Sequence, residues 1–228
     1  MELTDVVPLQ LATVRFPSGH PQAGEEGPVF AFAVRTHDGI VLVDTGVGPD
    51  HDEVERYFHP RRTRLPEALA GVGLSIEYVI GVVNTHLHFD HCGNNRLFVD
   101  VPIYVQRTEM EEVAHPEYTA VEWVRFPDAR YEMIDGDREI RPDVWVLATP
   151  GHTPGHQSVA VATVHGAVLI AGQAIYTLAE WEGSSNPRLS GEQSAWDARA
   201  YTRSRERLRE LRPRRVLFSH DISIWDRE

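Results

Sequence analysis

Residues 85–93 read Thr85-His86-Leu87-His88-Phe89-Asp90-His91-Cys92-Gly93. Four metal-competent side chains, His86, His88, Asp90 and His91, fall within six positions. The run Tyr78–Asn84 directly before them is apolar and β-branched, so the motif is expected at the end of a buried strand. In an extended segment His86 and His88 point the same way. A turn after Phe89 then aims Asp90 and His91 at a second point nearby. Neutral imidazole and carboxylate suit Zn²⁺, and also Fe²⁺, Co²⁺ or Mn²⁺. A histidine-rich loop with no metal is the bland alternative.

Ligands for two ions must arrive from elsewhere in the chain, and two candidates follow apolar runs. His152 comes after Val144–Ala148, within Thr149-Pro150-Gly151-His152-Thr153-Pro154-Gly155-His156. His220 comes after Val216–Phe218. Loops at strand ends are where sites are assembled. The expectation is a three-histidine site (His86, His88, His152) beside a site of Asp90, His91 and His220. Two metals about 3.5–4 Å apart can hold a hydroxide between them.

Outward from the motif, the chain reads as strands with a few helices. Leu3–Val14, Val29–Arg35, Ile40–Asp44, Pro102–Gln106, Ser158–Thr163 and Ala167–Ala171 are further strand candidates. His37-Asp38-Gly39 is a hairpin signal, and Asp44-Thr45-Gly46 a turn. Leu65–Ala70, with Pro66 suited to its first turn, and Arg107–Ala114 read as helices. Gln193–Leu211 is the clearest helix, with Trp196, Ala200, Leu208 and Leu211 on one side. This pattern suits an α+β sandwich rather than regular βαβ winding. One domain over 1–228 is expected.

Composition sets the outer bounds. The 228 residues carry a net charge of −12, which argues against a polyanionic partner. Arg199 to Arg215 holds eight arginines against Glu206 and Glu210. Tyr201 is the one aromatic residue among these charges, too few for base stacking, so a solvated helix face is favoured over a nucleic-acid patch. No apolar run approaches a membrane span, and the N-terminus does not read as a signal peptide. The single cysteine excludes an internal disulfide, and the cytoplasm is the default location. The chain contains no lysine, which excludes Schiff-base and phosphate-loop lysine chemistry.

Thr85–Gly93 resembles the signature of the metallo-β-lactamase superfamily, and the chain as a whole resembles its N-acyl homoserine lactonase branch. Val43-Asp44-Thr45-Gly46, Val105-Gln106-Arg107-Thr108-Glu109, Thr149–Ser158, Tyr176-Thr177 and Ser219-His220-Asp221 fall in that family's order and approximate spacing. The resemblance implies an αβ/βα sandwich of two mixed sheets flanked by helices, with the site at one edge. It implies two divalent metals, zinc first among them, and a small-molecule ester substrate. The implied activity is opening of a lactone ring by hydroxide held at the metals, a quorum-quenching reaction. Tyr176 would hydrogen-bond the carbonyl, and Asp90 would also deliver a proton to the leaving alkoxide.

The pattern departs from the family at one position. In Ile170-Ala171-Gly172-Gln173-Ala174-Ile175-Tyr176, Gln173 stands where the family has a metal-bridging aspartate. A neutral amide can ligate one metal through its oxygen but bridges two poorly. Two alternatives stay open: another hydrolase on the same scaffold, such as a thioesterase of glyoxalase II type or a phosphoesterase, and a ligand-binding protein whose catalysis has lapsed through Gln173. A homodimer is also left open.

Several residues have competing readings. Asp44 either orients a ligating histidine or only stabilises its turn. His156 is expected to be structural, Cys92 a buried small side chain, and Asp221 a shaper of the turn presenting His220. Trp181 either lies against an acyl chain or belongs to a surface loop. His20, His37, His51, His59, His115 and His165 are expected to be solvated.

Overall fold

A computed structural model describes residues 1–115 and 118–227. Two sheets stack face to face. The first runs in the order β4-β1-β2-β3-β5-β6-β7 and comprises β1 (Val6–Arg15), β2 (Glu26–Arg35), β3 (Ile40–Val43), β4 (Arg61–Arg62), β5 (Val79–Val83), β6 (Ile103–Gln106) and β7 (Tyr131–Ile134). The second runs β13-β12-β11-β10-β9-β8, from β8 (Arg138–Arg141), β9 (Val144–Ala148), β10 (Gln157–Thr163), β11 (Gly166–Ile170), β12 (Arg215–Leu217) and β13 (Ile224–Asp226). Both sheets are mixed: β3, β5, β6 and β7 pair in parallel, as do β11 and β12, and the other pairings are antiparallel.

The period-two pattern of the strands sorts side chains into layers. Phe32 and Val34 of β2, with Val41 and Val43 of β3, meet Val144, Val146, Val159, Val161 and Ile170 between the sheets. Their neighbours Ala31, Ala33 and Leu42 face outward and are covered by Leu65 and Leu69 of the helix Leu65–Gly71. On the other side Leu147, Leu169 and Val216 are covered by Leu208 of the helix Ala198–Glu210. The result is the expected αβ/βα sandwich.

The last helix begins later than its periodicity suggests. Asp197 caps it, accepting from the Arg199 and Ala200 amides at 2.8 and 3.0 Å, and Gly191–Ser194 form a separate short 3₁₀ turn. Trp196 and Leu211 are 65% and 44% exposed, so neither belongs to the buried stripe, which is Ala200, Tyr201, Ser204 and Leu208. Three of its five arginines are tied inward, while Arg199 and Arg203 are exposed. Arg205 pairs with the buried Glu180, Arg207 donates to the Ala148 carbonyl and contacts Asp137, and Arg209 donates to the carbonyls of Glu180 and Trp181. Among the described residues no helix is long and apolar enough to cross a membrane.

Candidate metal centre

Five chain segments leave strand ends at the same edge of the sandwich. β3 delivers Asp44, β5 delivers residues 85–91, β9 the His152 loop, β11 the Gln173 turn, and β12 His220. Both sheets thus supply donors to the same edge. In the trio His86, His88 and His152, one nitrogen per ring lies within 4.8 Å of the others, and the same holds for Asp90, His91 and His220. The rings of His91 and His220 are 5.3 Å apart, and His86 and His91 are 4.1 Å apart, so the trios adjoin. All the expected ligand residues converge.

Hydrogen bonds behind the rings fix which nitrogen faces inward. His91 Nδ1 donates to Asp44 Oδ2 at 2.8 Å, and His220 Nδ1 donates to the Pro28 carbonyl at 3.0 Å. His86 Nδ1 donates to Thr85 Oγ1 at 3.1 Å, whose own hydroxyl donates to Asp44. Each therefore presents Nε2, and Asp90 Oδ2 lies 3.5 Å from His220 Nε2 and 3.6 Å from His91 Nε2. His88 is the exception: its Nδ1 faces His86 Nε2 at 3.0 Å and His152 Nε2 at 3.2 Å.

Asp44 answers both of its readings. It sits in a left-handed turn conformation at φ 62° and is fully buried, and its carboxylate holds His91 and the Thr85 amide together. Backbone of this kind costs free energy and persists where surroundings enforce it. Asparagine tolerates this conformation, so Asp44→Asn isolates the charge. Such partners of ligating histidines are worth 10–100-fold in metal affinity. Asp44→Asn is expected to weaken metal binding by about that factor in chelator competition; unchanged affinity would remove Asp44 from the site.

His156 is structural. It donates from Nδ1 to the Thr149 carbonyl at 3.2 Å, and its Nε2 accepts from the Gln173 amide at 2.9 Å. It thereby fixes the turn carrying Gln173, whose side chain is 8% exposed. Gln173 Oε1 and His91 Nε2 are both buried without a hydrogen-bond partner among the described residues. Unpaired buried polar atoms are costly. Two such atoms amid convergent imidazoles fit a cation.

Burial drives the electrostatics. It pushes His88 and His220 down to about 4 and His156 to about 3, and holds His86 and His152 well below the usual histidine range. These rings are neutral at pH 7, the form that ligates metal. His91 is raised instead: burial opposes its charge, but Asp90 and Asp44 outweigh it. Burial also raises Asp90, yet His91, His220 and His88 together pull it below the usual carboxylate range.

For a depressed histidine, stability is present above the unfolded value of about 6.5 and is lost as pH falls from there towards the folded value. His91 runs the other way but is outnumbered. The metal-free protein should therefore lose stability from pH 6.5 down to about 4. One pKa unit is about 1.4 kcal/mol, and one kcal/mol is about 2–4 °C in a chain of this size. Melting curves at pH 7 and 4.5 should differ by about 10 °C or more, and coincident curves would contradict the neutral assignment.

Three features escaped the sequence. Glu109 is fully buried between the two metal loops. Its Oε1 accepts from the Leu87 amide at 2.8 Å and from the Tyr118 hydroxyl; its Oε2 accepts from Thr153 Oγ1 at 2.7 Å and the Gly155 amide at 3.2 Å. A Cβ added at Gly155 would lie 2.2 Å from the Glu109 nitrogen, so only glycine fits that approach. His20 is half-buried rather than freely solvated and stacks on Phe16 at 4.2 Å, with its ring 6.1 Å from that of Tyr176. His51 is half-buried against Trp123 and lines a cavity of about 610 Å³ that opens beside His88, with Val54, Phe58, Phe89 and Tyr118.

Other expectations resolve plainly. Tyr176 is 4% exposed, stands 5.1 Å from the His220 ring, and its hydroxyl has no hydrogen-bond partner among the described residues. Cys92 is buried, donating towards the Leu87 and His88 carbonyls, and burial pushes its thiol up. Asp221 accepts from the Leu178 and Ser223 amides, tying down the turn after His220. Trp181 faces neither substrate space nor solvent; it packs against Trp225 at 5.3 Å in the outer core.

Comparison with known proteins agrees with this geometry. The metallo-beta-lactamase superfamily profile matches residues 24–220. An N-acyl homoserine lactonase from Bacillus sp is 36% identical over 208 residues, covering 86% of this chain and 82% of that protein. One from Bacillus thuringiensis is 38% identical over 168 residues, covering 68% and 67%. The structure of a mutant of AiiA from B. thuringiensis, with N-decanoyl-L-homoserine bound at its active site, superposes with a TM-score of 0.80 at 30% identity, covering 97% of this chain and 95% of that one. An N-acyl homoserine lactone hydrolase with N-hexanoyl-L-homoserine bound at its catalytic metal center gives 0.77 at 31%, covering 95% and 92%. The chain belongs to the metallo-β-lactamase superfamily and, within it, to the N-acyl homoserine lactonases.

Proposed function

We propose that this chain opens the ring of N-acyl homoserine lactones with the help of two divalent cations, zinc being the ion its donors suit best. The observation that carries this reading is the convergence of two ligand trios at one edge of the sandwich. His86, His88 and His152 would hold one cation; Asp90, His91 and His220 would hold the other. Gln173 Oε1 adds a neutral donor to one of them. Five imidazoles and a carboxylate are a nitrogen-rich, borderline set, which favours zinc over magnesium or calcium. Bound cations supply Lewis acidity and bring the pKa of water towards ~7.

The chain's own groups do the rest. Tyr176 stays protonated, because burial raises its hydroxyl, and it donates to the lactone carbonyl oxygen as negative charge builds there. Asp90, kept ionised by His91, His220 and His88, takes the proton given up by the attacking water and passes it to the alkoxide released when the ring opens. The cavity beside His88, walled by Val54, Tyr57, Phe58, Phe89 and Tyr118, takes the apolar acyl chain.

A panel of N-acyl homoserine lactones, plain lactones, thioesters and phosphoesters, run with metal analysis of the same sample, tests this reading. Turnover of the acyl lactones with about two metals per chain is expected, and so is loss of turnover on chelation. Inertness towards every lactone would remove it.

A further inference from the structure

The β1–β2 loop brings a polar group to the centre that the reading above leaves without a task. His20 stacks flat on Phe16, with centroids 4.2 Å apart and an interplanar angle of 11°. Its Nδ1 accepts from the Gln22 backbone amide at 3.1 Å. That bond selects the tautomer: the proton sits on Nε2, the far side of the ring. Nε2 has no hydrogen-bond partner among the described residues. Tyr176 lies 6.1 Å away, centroid to centroid, and Asp90 and His220 are both within electrostatic reach. A histidine that only solvated a loop would need neither a stacked face nor a fixed tautomer.

We propose that His20 is a substrate-reading residue whose Nε2–H donates to the acyl-amide carbonyl of an N-acyl lactone. This rests on the lactonase reading. The substrate has two carbonyl groups, separated by a few bonds. The lactone carbonyl is taken by Tyr176 and the centre. The amide oxygen needs a donor beside Tyr176, and His20 is the neutral donor placed there. Phe16 and Tyr176 belong to the same apolar cluster as Val54 and Ala120, with Phe58 and Phe89 packed against it. The acyl chain beyond the amide therefore runs on from His20 over a continuous apolar wall towards the cavity.

The test compares the parent with His20→Phe and His20→Gln. Phenylalanine keeps the stack on Phe16 and removes the donor; glutamine restores a donor. Each protein is assayed on an N-acyl homoserine lactone and on a γ-alkyl lactone that has no amide, with melting temperature and metal content recorded alongside. A neutral hydrogen bond is worth about 1 kcal/mol and up to about 1.5, so the ratio of kcat/KM between the two substrates should fall about five- to twelvefold in His20→Phe. The loss should appear mainly in KM, and His20→Gln should recover part of it. A ratio unchanged within about twofold in His20→Phe, or no recovery in His20→Gln, overturns the assignment while leaving the lactonase reading intact. A parent inert towards both lactones overturns the two together.

Discussion

Asp90→Ala is expected to lower kcat/KM by about a thousandfold or more, the largest single effect on activity. Asp90 is the one carboxylate in the two trios, and it is 8% exposed, with His91 and His220 on either side at 3.6 and 3.5 Å. Removing it takes away the negative charge of its trio and the group proposed to pass a proton to the leaving oxygen. Proton transfer alone is worth about 10²–10⁴-fold, and weakened cation binding adds to that. Asp90→Asn keeps the shape and removes the charge, so comparing the two separates ligation from packing. Steady-state kinetics with metal analysis check both. A kcat/KM within about tenfold of the parent for Asp90→Ala would falsify the proposed role.

The largest effect on stability is expected from Glu109→Ala. Four donors, the amides of Leu87 and Gly155 and the hydroxyls of Thr153 and Tyr118, converge on this carboxylate. Burial pushes Glu109 up, and those bonds work against that push. Alanine leaves the buried donors without an acceptor at about 1–3 kcal/mol each. A total loss of about 4 kcal/mol or more corresponds to about 10 °C in Tm. Because Leu87 lies between two of the ligand histidines and Thr153 follows another, metal content should fall with stability. Glu109→Gln keeps an acceptor on one side and should be milder. A Glu109→Ala variant melting within about 2 °C of the parent would show that water replaces the carboxylate.

The convergent cluster was legible because a metal site would restrict residue type and spacing together. His86, His88, Asp90 and His91 form one short string, and His152 and His220 each follow an apolar strand. Glu109 was not legible. Its partners lie 22 and 46 residues away in the chain, and nothing local marks a glutamate that serves two distant loops. His20 was hidden for a similar reason: a Pro- and Gly-rich loop reads as solvated until the fold folds it against Phe16. The strands Tyr131–Ile134 and Arg138–Arg141 were missed because each is short, forms a sheet edge and buries a single residue, so it lacks the buried alternation that reveals inner strands. The start of the last helix was readable in principle, since Asp197 before Ala198 is a good N-cap. Trp196, counted on one face with Ala200, Leu208 and Leu211, extended the apolar pattern past it.

The donors belong to both halves of the sandwich: His86, His88, Asp90 and His91 follow a strand of one sheet, and His152, Gln173 and His220 follow strands of the other. A bound ion is thus a rivet through the seam. Its grip is set by mass action: free metal at a hundred times Kd adds about 2.7 kcal/mol to the folded state. Heat tolerance should therefore track the free metal concentration of the surrounding solution, and protein stripped of metal should be a softer form of the same fold.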